Sequence, residues 1–244
     1  MIVMILGMHR SGTSTIAGVL HLNRIIMGTY QNFWPRPLNQ NPKGFYENYD
    51  FRKINDQMLK KVNYDVKSYN PEIPIPASST KIFSKVKKII MHCNKLYDDW
   101  GWKDPRSCLT AHCWGEMIYD LELQNNLKII FVARKASSVA RSLKKRNGLS
   151  IEIGMELWKS YTERALKFCE NSELPIHYCS FENLLDNPIA TCNYLFEFLE
   201  RSWEQSVVDK FIEKKISTSA KGEDIYYPDH INILEEKVYS LLQK

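Results

Sequence analysis

The N-terminal part of the chain places a short apolar run, a glycine-containing loop and a helical pattern in direct succession. Ile2–Leu6 is apolar throughout and stops at Gly7, which predicts a buried strand. Thr13–Leu22 then repeats apolar residues at helical spacing, which predicts a helix. The chain therefore opens as strand, loop and helix, a unit from which parallel sheets with covering helices are built.

Strand and helix patterns go on alternating along the rest of the chain. Leu127–Ala133 is the clearest strand, and shorter strands are predicted at residues 100–102 and 176–179. Two proline-rich stretches, residues 30–44 and 70–79, predict loops. Helical patterns cover residues 45–62, 82–93, 137–145, 153–168 and 190–199. The alternation predicts an α/β protein with a P-loop-like three-layer fold, in which a central, mainly parallel sheet is flanked by helices.

The composition is typical of a folded protein that binds a small anion. The 244 residues are 44% hydrophobic, enough for one core, and we expect a single domain over residues 1–244. The excess of 33 Lys and Arg over 28 Asp and Glu is spread along the chain, which favours a phosphorylated ligand over a nucleic acid partner. The apolar start is too short for a signal sequence or a membrane span, so we expect a cytoplasmic protein. The six cysteines show no zinc-ligand spacing, and we expect them in the core.

The loop after the first strand has the composition of an anion-binding loop. Gly7 and Gly12 lie five positions apart between a strand and a helix, so backbone N–H groups and the positive end of the helix can converge on an anion. The nucleotide-kinase pattern GxxxxGK[ST] requires lysine where this chain has Thr13, and Arg10 supplies a cation from inside the loop. An ordinary tight turn is the alternative. The loop residues predicted to bind the phosphorylated ligand are His9, Arg10, Ser11, Gly12, Thr13 and Ser14.

This loop resembles the phosphosulfate-binding loop of the sulfotransferase family. Members of that family use 3′-phosphoadenosine 5′-phosphosulfate (PAPS) as the sulfuryl donor. A strand that ends in Arg134, with Ser142 eight residues later on a helix, is similar to the family's second motif. The resemblance implies that Arg134 and Ser142 hold the 3′-phosphate of the donor. A surface arginine and an ordinary helix serine are the alternative reading.

Two further segments resemble bacterial members of the family. Residues 102–106 are similar to the Lys-Asp-Pro element of bacterial and protein-tyrosine sulfotransferases, which implies that Lys103 contacts the leaving group or the sulfuryl oxygens. Asp104 and Arg106 could brace this turn, and a solvated charged turn is the alternative. Residues 41–47 are similar to an Asn-Pro-x-Gly-x-x-Glu segment, which implies that Glu47 is the catalytic base.

Other readings of these residues stay open at the level of sequence. Glu47 could simply start a helix, and His9 or His112 could serve as the base instead. Arg10 and Lys103 would stabilise the charge of the reaction, so we expect no metal requirement. Residues 178–188 resemble a family segment that marks the fold. The only candidates for the family's basic C-terminal loop are Lys214, Lys215, Lys221 and Gly222.

The resemblance therefore implies a PAPS-dependent sulfotransferase that acts on a hydroxyl of a small-molecule or glycan acceptor, with a carbohydrate or glycan precursor preferred. A nucleotide-dependent small-molecule kinase of the same fold and a non-catalytic nucleotide-binding protein are the alternatives. The acceptor's identity and the oligomeric state stay open. Aromatic residues that could stack on a sugar, or belong to the core, are Tyr30, Phe33, Trp34, Phe45, Tyr46 and Trp158.

Overall fold

A parallel sheet forms the centre of the protein in the computed structural model, which describes residues 1–28, 41, 43–212 and 225–242. Its strands are β1 (Ile2–Leu6), β2 (Trp100–Lys103), β3 (Leu127–Ala133) and β4 (Ile176–Ser180). Their order across the sheet is β2-β1-β3-β4, and every neighbouring pair is parallel. Strands that lie inside such a sheet are covered on both faces, which explains why β1 is apolar and buried at each position.

Helices cover both faces of the sheet. The described α-helices are α1 (Thr13–Leu22), α2 (Tyr49–Lys60), α3 (Thr80–Leu96), α4 (Ser107–Asp120), α5 (Ala136–Asn147), α6 (Ile151–Glu170), α7 (Phe181–Asp186), α8 (Pro188–Leu199), α9 (Gln205–Phe211) and α10 (Asp229–Ser240). Short 3₁₀ turns lie at Val66–Ser68 and Gln124–Asn126. None of these described helices is long and apolar enough to cross a membrane.

The alternation of side chains along β1 divides the core into two layers. Ile2, Met4 and Leu6 pack with α2 to α6 and α10 on one face. Val3 and Ile5 pack with α1, α7, α8 and α9 on the other. The three-layer α/β fold predicted from the sequence is therefore confirmed. All six cysteines are buried with free thiols, as predicted.

The strands and helices predicted from the sequence are present, with one difference that matters for the site, and most of the predicted loop at residues 30–44 lies outside the described residues. The helix predicted at residues 45–62 begins at Tyr49, because the side chain of Asn48 accepts a hydrogen bond from the backbone N–H of Asp50 and caps the helix. Glu47 therefore lies before the helix and not in its first turn. The short helices α7 and α9 and the C-terminal α10 were not predicted.

Candidate active site

The carboxyl ends of the three strands β1, β2 and β3 place the predicted site residues at one edge of the sheet. The loop of residues 7–12 follows β1, Lys103 ends β2, and Arg134 follows β3. Ligands of open α/β sheets bind at this edge, since the loops that follow parallel strands converge there.

The loop between β1 and α1 holds two residues, Arg10 and Gly12, in the left-handed backbone region just before the start of the helix. Gly12 has a φ of 85°, and a Cβ atom there would lie 2.1 Å from the ring of Phe181. Arg10 adopts a φ of 71°, a left-handed conformation that few side-chain-bearing residues adopt. Among the residues that the structure describes, no side chain caps α1, and the first turn of this helix carries no acidic residue. The positive end of α1 is therefore left for a ligand.

Arg10 joins the loop to two other parts of the protein, the end of β3 and α5. Its Nε donates to Ser142 Oγ at 2.7 Å. Arg134 Nη1 donates to the carbonyl of Arg10 at 2.6 Å, and the guanidinium of Arg134 lies 4.6 Å from the ring centroid of Phe181. Trp158 Nε1 fixes the backbone of Arg134 through its carbonyl at 3.0 Å. The two residues predicted to hold the 3′-phosphate thus both contact the phosphate loop.

The cations in this contact lie close enough to disfavour one another. Burial, followed by the charges of Arg146 and Arg134, lowers the pKa of Arg10 to about 10. Burial also lowers the pKa of Arg134. Within the described part of the chain, Arg10 forms no ion pair with a carboxylate. A bound anion would relieve this repulsion.

Lys103 connects the predicted base to the phosphate loop. The side chain is only 1% exposed, and its Nζ donates to Glu47 Oε1 at 2.8 Å and to Ser14 Oγ at 3.2 Å. Ser14 belongs to the first turn of α1, so Lys103 brings a cation from the end of β2 to the start of that helix. Burial raises the pKa of Glu47 above its ordinary value, and the charge of Lys103 opposes this increase.

The turn after Lys103 is braced by a buried ion pair. Asp104 accepts hydrogen bonds from the backbone N–H and Nη1 of Arg106, both at 2.9 Å, and from Asn55 at 3.3 Å. Arg106 Nε also pairs with Asp56 at 2.8 Å. Burial alone would raise the pKa of Asp104, but the charge and hydrogen bonds of Arg106 hold it below its usual range. Because Lys103 and Asp104 are buried, the alternative of a solvated turn is wrong.

The two histidines considered as bases have other environments. His9 packs edge-on against Tyr161, with ring centroids 5.5 Å apart. Burial, followed by the charges of Arg106 and Arg146, lowers its pKa well below the ordinary value, so the ring is neutral and weakly basic at pH 7. His112 Nε2 lies 2.7 Å from the carbonyl oxygen of Pro76. Its described contacts are structural.

Two of the aromatic residues singled out for sugar stacking, Trp158 and Tyr46, pack against other side chains of the protein, and a third, Phe45, is half-buried. Trp158 is 2% exposed and belongs to the core. Tyr46 packs against the rings of His21 and Phe211, at 5.7 and 5.9 Å. The residues that lie outside the described part are Tyr30, Phe33, Trp34, Lys214, Lys215, Lys221 and Gly222.

Sequence reasoning missed two features of α5. Arg146 is half-buried one helical turn after Ser142, and its charge acts on Arg10 and His9. At the other end of α5, the N–H of Ala136 donates to Glu235 Oε1 at 2.7 Å. The i, i+4 spacing from Ser142 could have revealed Arg146, whereas the contact with Glu235 joins positions 99 residues apart and leaves no local signal.

Fold and site together define an α/β protein in which a glycine-containing loop and several cationic side chains meet at the carboxyl edge of a parallel sheet. The sequence model of the sulfotransferase family matches residues 3–205. The chain therefore belongs to the sulfotransferase family, as its motifs indicated, and is a sulfotransferase enzyme. A comparison with curated proteins finds no significant match.

Solved structures support the same fold. The sulfotransferase domain from the curacin biosynthetic pathway is 16% identical, with a TM-score of 0.59, and the alignment covers 99% of this chain and 98% of that one. The sulfotransferase domain from the Synechococcus PCC 7002 olefin synthase is 14% identical, with a TM-score of 0.59 and coverages of 98% and 94%. A Mycobacterium avium sulfotransferase is 13% identical, with a TM-score of 0.52 and coverages of 98% and 74%. At these identities the likeness shows the fold alone.

Proposed function

We propose that this enzyme transfers the sulfuryl group of PAPS to a hydroxyl acceptor. The observation that carries the proposal is the double contact of Lys103, which donates to Glu47 on one side and, on the other, to Ser14 in the first turn of α1, directly after the loop. A group-transfer enzyme needs a proton acceptor beside the site that holds the transferred group, and this contact supports that arrangement.

The residues around the loop fit the anionic groups of PAPS. The uncapped start of α1, with Arg10 and the loop amides, suits the 5′-phosphosulfate. Arg134 and Ser142 suit the 3′-phosphate, because a guanidinium and a hydroxyl both donate hydrogen bonds to phosphate oxygens. The start of α5 is capped by Glu235, so these two side chains, and not that helix end, would bind the second phosphate. PAPS, when bound, supplies the sulfuryl group.

The carboxylate of Glu47 is suited to the acceptor proton. As the acceptor oxygen forms its new bond to sulfur and the donor's bridging S–O bond breaks, the hydroxyl proton passes to Glu47. The raised pKa makes the carboxylate a better proton acceptor than an exposed glutamate. Lys103 keeps Glu47 oriented and leaves a positive charge beside the loop, where charge develops during the transfer.

For the acceptor we propose a carbohydrate or glycan precursor, and for the enzyme a cytoplasmic location with no nucleic acid partner. Family members that resemble this chain in residues 41–47 and 102–106 act on saccharides, lipids and tyrosines, and saccharides are the class that we prefer among these three. The dispersed net charge of +5 supports a small anionic ligand over a nucleic acid.

Binding and transfer measurements test the donor assignment. We expect adenosine 3′,5′-bisphosphate to bind in calorimetry, ATP to bind more weakly, and radiolabelled PAPS to label hydroxyl compounds. Arg10→Gln should weaken bisphosphate binding by about one to two decades, since a charge-assisted hydrogen bond contributes about 1.5–3 kcal/mol. Arg24→Gln is the matched control, because Arg24 is exposed just beyond the opposite end of α1. Tighter binding of ATP, with phosphoryl transfer, would indicate the kinase instead.

A further inference from the structure

A third arginine, Arg146, acts electrostatically on Arg10 and has no role in the donor site described above. Arg146 follows Ser142 by four positions on α5, so the two side chains lie on the same helix face. Ser142 Oγ accepts a hydrogen bond from Arg10 Nε at 2.7 Å. Arg146 therefore extends the cationic cluster by one helical turn beyond Ser142.

The side chain of Arg146 is held in place and differs from its basic neighbours. Lys144 and Lys145 are exposed, whereas Arg146 is half-buried. Its Nε donates to Asn147 Oδ1 at 2.6 Å, and Asn147 Nδ2 donates to the hydroxyl of Tyr69 at 2.7 Å. These two hydrogen bonds orient the guanidinium of Arg146. They use its Nε and not its two terminal nitrogens, Nη1 and Nη2.

The charge of Arg146 interacts with Arg10 of the proposed donor site and with Glu47, the proposed base. Burial lowers the pKa of Arg146, and Tyr69 and, to a smaller extent, the carboxylate of Glu47 oppose that change. Arg146 in turn lowers the pKa of Arg10. Among the described residues, no carboxylate forms an ion pair with Arg146. A half-buried cation without such a partner favours an anion brought by a ligand.

The proposed donor site already gives the donor's anionic groups their partners, so we expect an anion at Arg146 to be brought by the acceptor. Arg10 and the start of α1 suit one phosphate, and Arg134 with Ser142 suits the other. We propose that Arg146 is a specificity-determining residue that binds a carboxylate of the acceptor, and that the acceptor is an acidic hydroxyl compound such as a uronic acid. This inference rests on the proposed sulfuryl transfer, in which Glu47 accepts the proton of the same acceptor.

Two matched probes test the inference by binding as well as by turnover. The probes are 4-nitrophenyl β-D-glucuronide and 4-nitrophenyl β-D-glucoside, which differ in a carboxylate and a hydroxymethyl group. We expect the protein saturated with adenosine 3′,5′-bisphosphate to bind the glucuronide at least about tenfold more tightly, because a charge-assisted pair of hydrogen bonds is gained. Arg146→Gln should remove this preference, and Arg146→Lys should retain part of it. Lys145→Gln, at the exposed neighbouring position, should change nothing.

Each other outcome overturns the inference in a different way. A wild-type protein that binds neither glycoside, or both equally, has no acidic-acceptor site at Arg146. If Arg146→Gln weakens the binding of PAPS but not that of the bisphosphate product, Arg146 binds the sulfuryl group. If the variant weakens the binding of both ligands, Arg146 belongs to the donor site. Failure of the wild-type protein to bind the bisphosphate at all contradicts the proposed function itself and not only this inference. Thermal unfolding of each variant confirms that the fold is retained.

Discussion

Lys103 Nζ lies 2.8 Å from Glu47 Oε1, and the two residues are separated by 56 positions in the sequence. Both side chains are buried, and the lysine also donates to Ser14 at the start of α1. One ammonium group therefore sets the position of the proposed base relative to the phosphate loop. A buried ion pair that loses one partner leaves an uncompensated charge. Replacement of either residue should therefore affect both the free energy of unfolding and the proposed proton transfer.

Replacement of Glu47 by glutamine tests the base directly. Glu47→Gln keeps the size of the side chain and an oxygen that can accept from Lys103, but it removes the proton acceptor. We expect turnover to fall by about two to four decades while the affinity for adenosine 3′,5′-bisphosphate stays close to that of the wild type. Sulfuryl transfer and calorimetry on one preparation measure both quantities.

The exposed Glu116 on α4 provides the control for that experiment. Glu116→Gln makes the same chemical change away from the cleft and should leave turnover unchanged. Near-normal turnover of Glu47→Gln would contradict the proposed base and direct attention to His9, whose ring is neutral at pH 7.

The pKa of Glu47 predicts how stability depends on pH. Burial raises this pKa in the folded protein above 4.5, so the folded state binds the proton more tightly than the unfolded state. The contribution of Glu47 to the free energy of unfolding is therefore full below pH 4.5 and is lost as the pH rises through the raised value. Lys103→Met removes a charge that lowers the pKa, so the loss should extend to higher pH.

Chemical unfolding of both proteins at a series of pH values between about 4 and 8 measures this effect. We expect the difference in stability between wild type and Lys103→Met to grow with pH, and the acidic limb of the residual kcat/KM profile of the variant to move to higher pH. Parallel stability curves would mean that Lys103 does not act on the carboxyl of Glu47.

The positive charge around the loop predicts activity without a metal ion. Arg10, Lys103 and the start of α1 supply cationic groups where many phosphoryl-transfer enzymes use magnesium. Sulfuryl transfer should therefore be unchanged after treatment with EDTA and after addition of magnesium. Loss of activity in EDTA, with recovery in magnesium, would contradict this prediction and favour the kinase alternative.

Local patterns in the sequence were sufficient for most of the fold. Leu127–Ala133 was predicted with its observed bounds, because a strand covered on both faces is apolar at nearly every position. The short α7 and α9, of six and seven residues, contain too few turns for a helical period to be recognised. In α10 the apolar positions Ile231, Leu234 and Val238 have helical spacing but lie among polar residues.

The site was predictable as a set of residues but not as a set of contacts. Motifs placed Lys103 and Glu47 in one cleft, yet no local pattern indicates that their side chains pair. The start of α2 shows why: the helical period extends back to residue 45, but capping by Asn48 makes the helix begin only at Tyr49 and leaves Glu47 outside it, where it reaches Lys103. Such contacts depend on tertiary packing, which a single sequence does not reveal.

Gly12 links the geometry of the loop to binding. Its φ of 85° favours glycine, and a Cβ atom would lie 2.1 Å from the ring of Phe181. Gly12→Ala should lower the free energy of unfolding by about 1–3 kcal/mol and weaken bisphosphate binding. Gly148→Ala, at a φ of 71° with no atom within 4 Å of the added Cβ, is the matched control for backbone strain without the clash. Equal effects of the two variants on binding would show that the contact with Phe181 is unimportant.

Arg134 distinguishes a bisphosphate site from a simple phosphate loop. If its guanidinium binds the 3′-phosphate, Arg134→Ala should weaken the binding of adenosine 3′,5′-bisphosphate by about one to two decades. The binding of adenosine 5′-phosphate should change far less, because this ligand lacks the 3′-phosphate. The comparison of the two ligands matters, since Arg134 also donates to the carbonyl of Arg10, and a collapsed loop would weaken both equally. Arg201→Ala is the control, because Arg201 pairs with Asp99 just before β2, at the opposite edge of the sheet. A wild-type protein that binds both ligands equally would have no second phosphate site, and the assignment of Arg134 and Ser142 would be wrong.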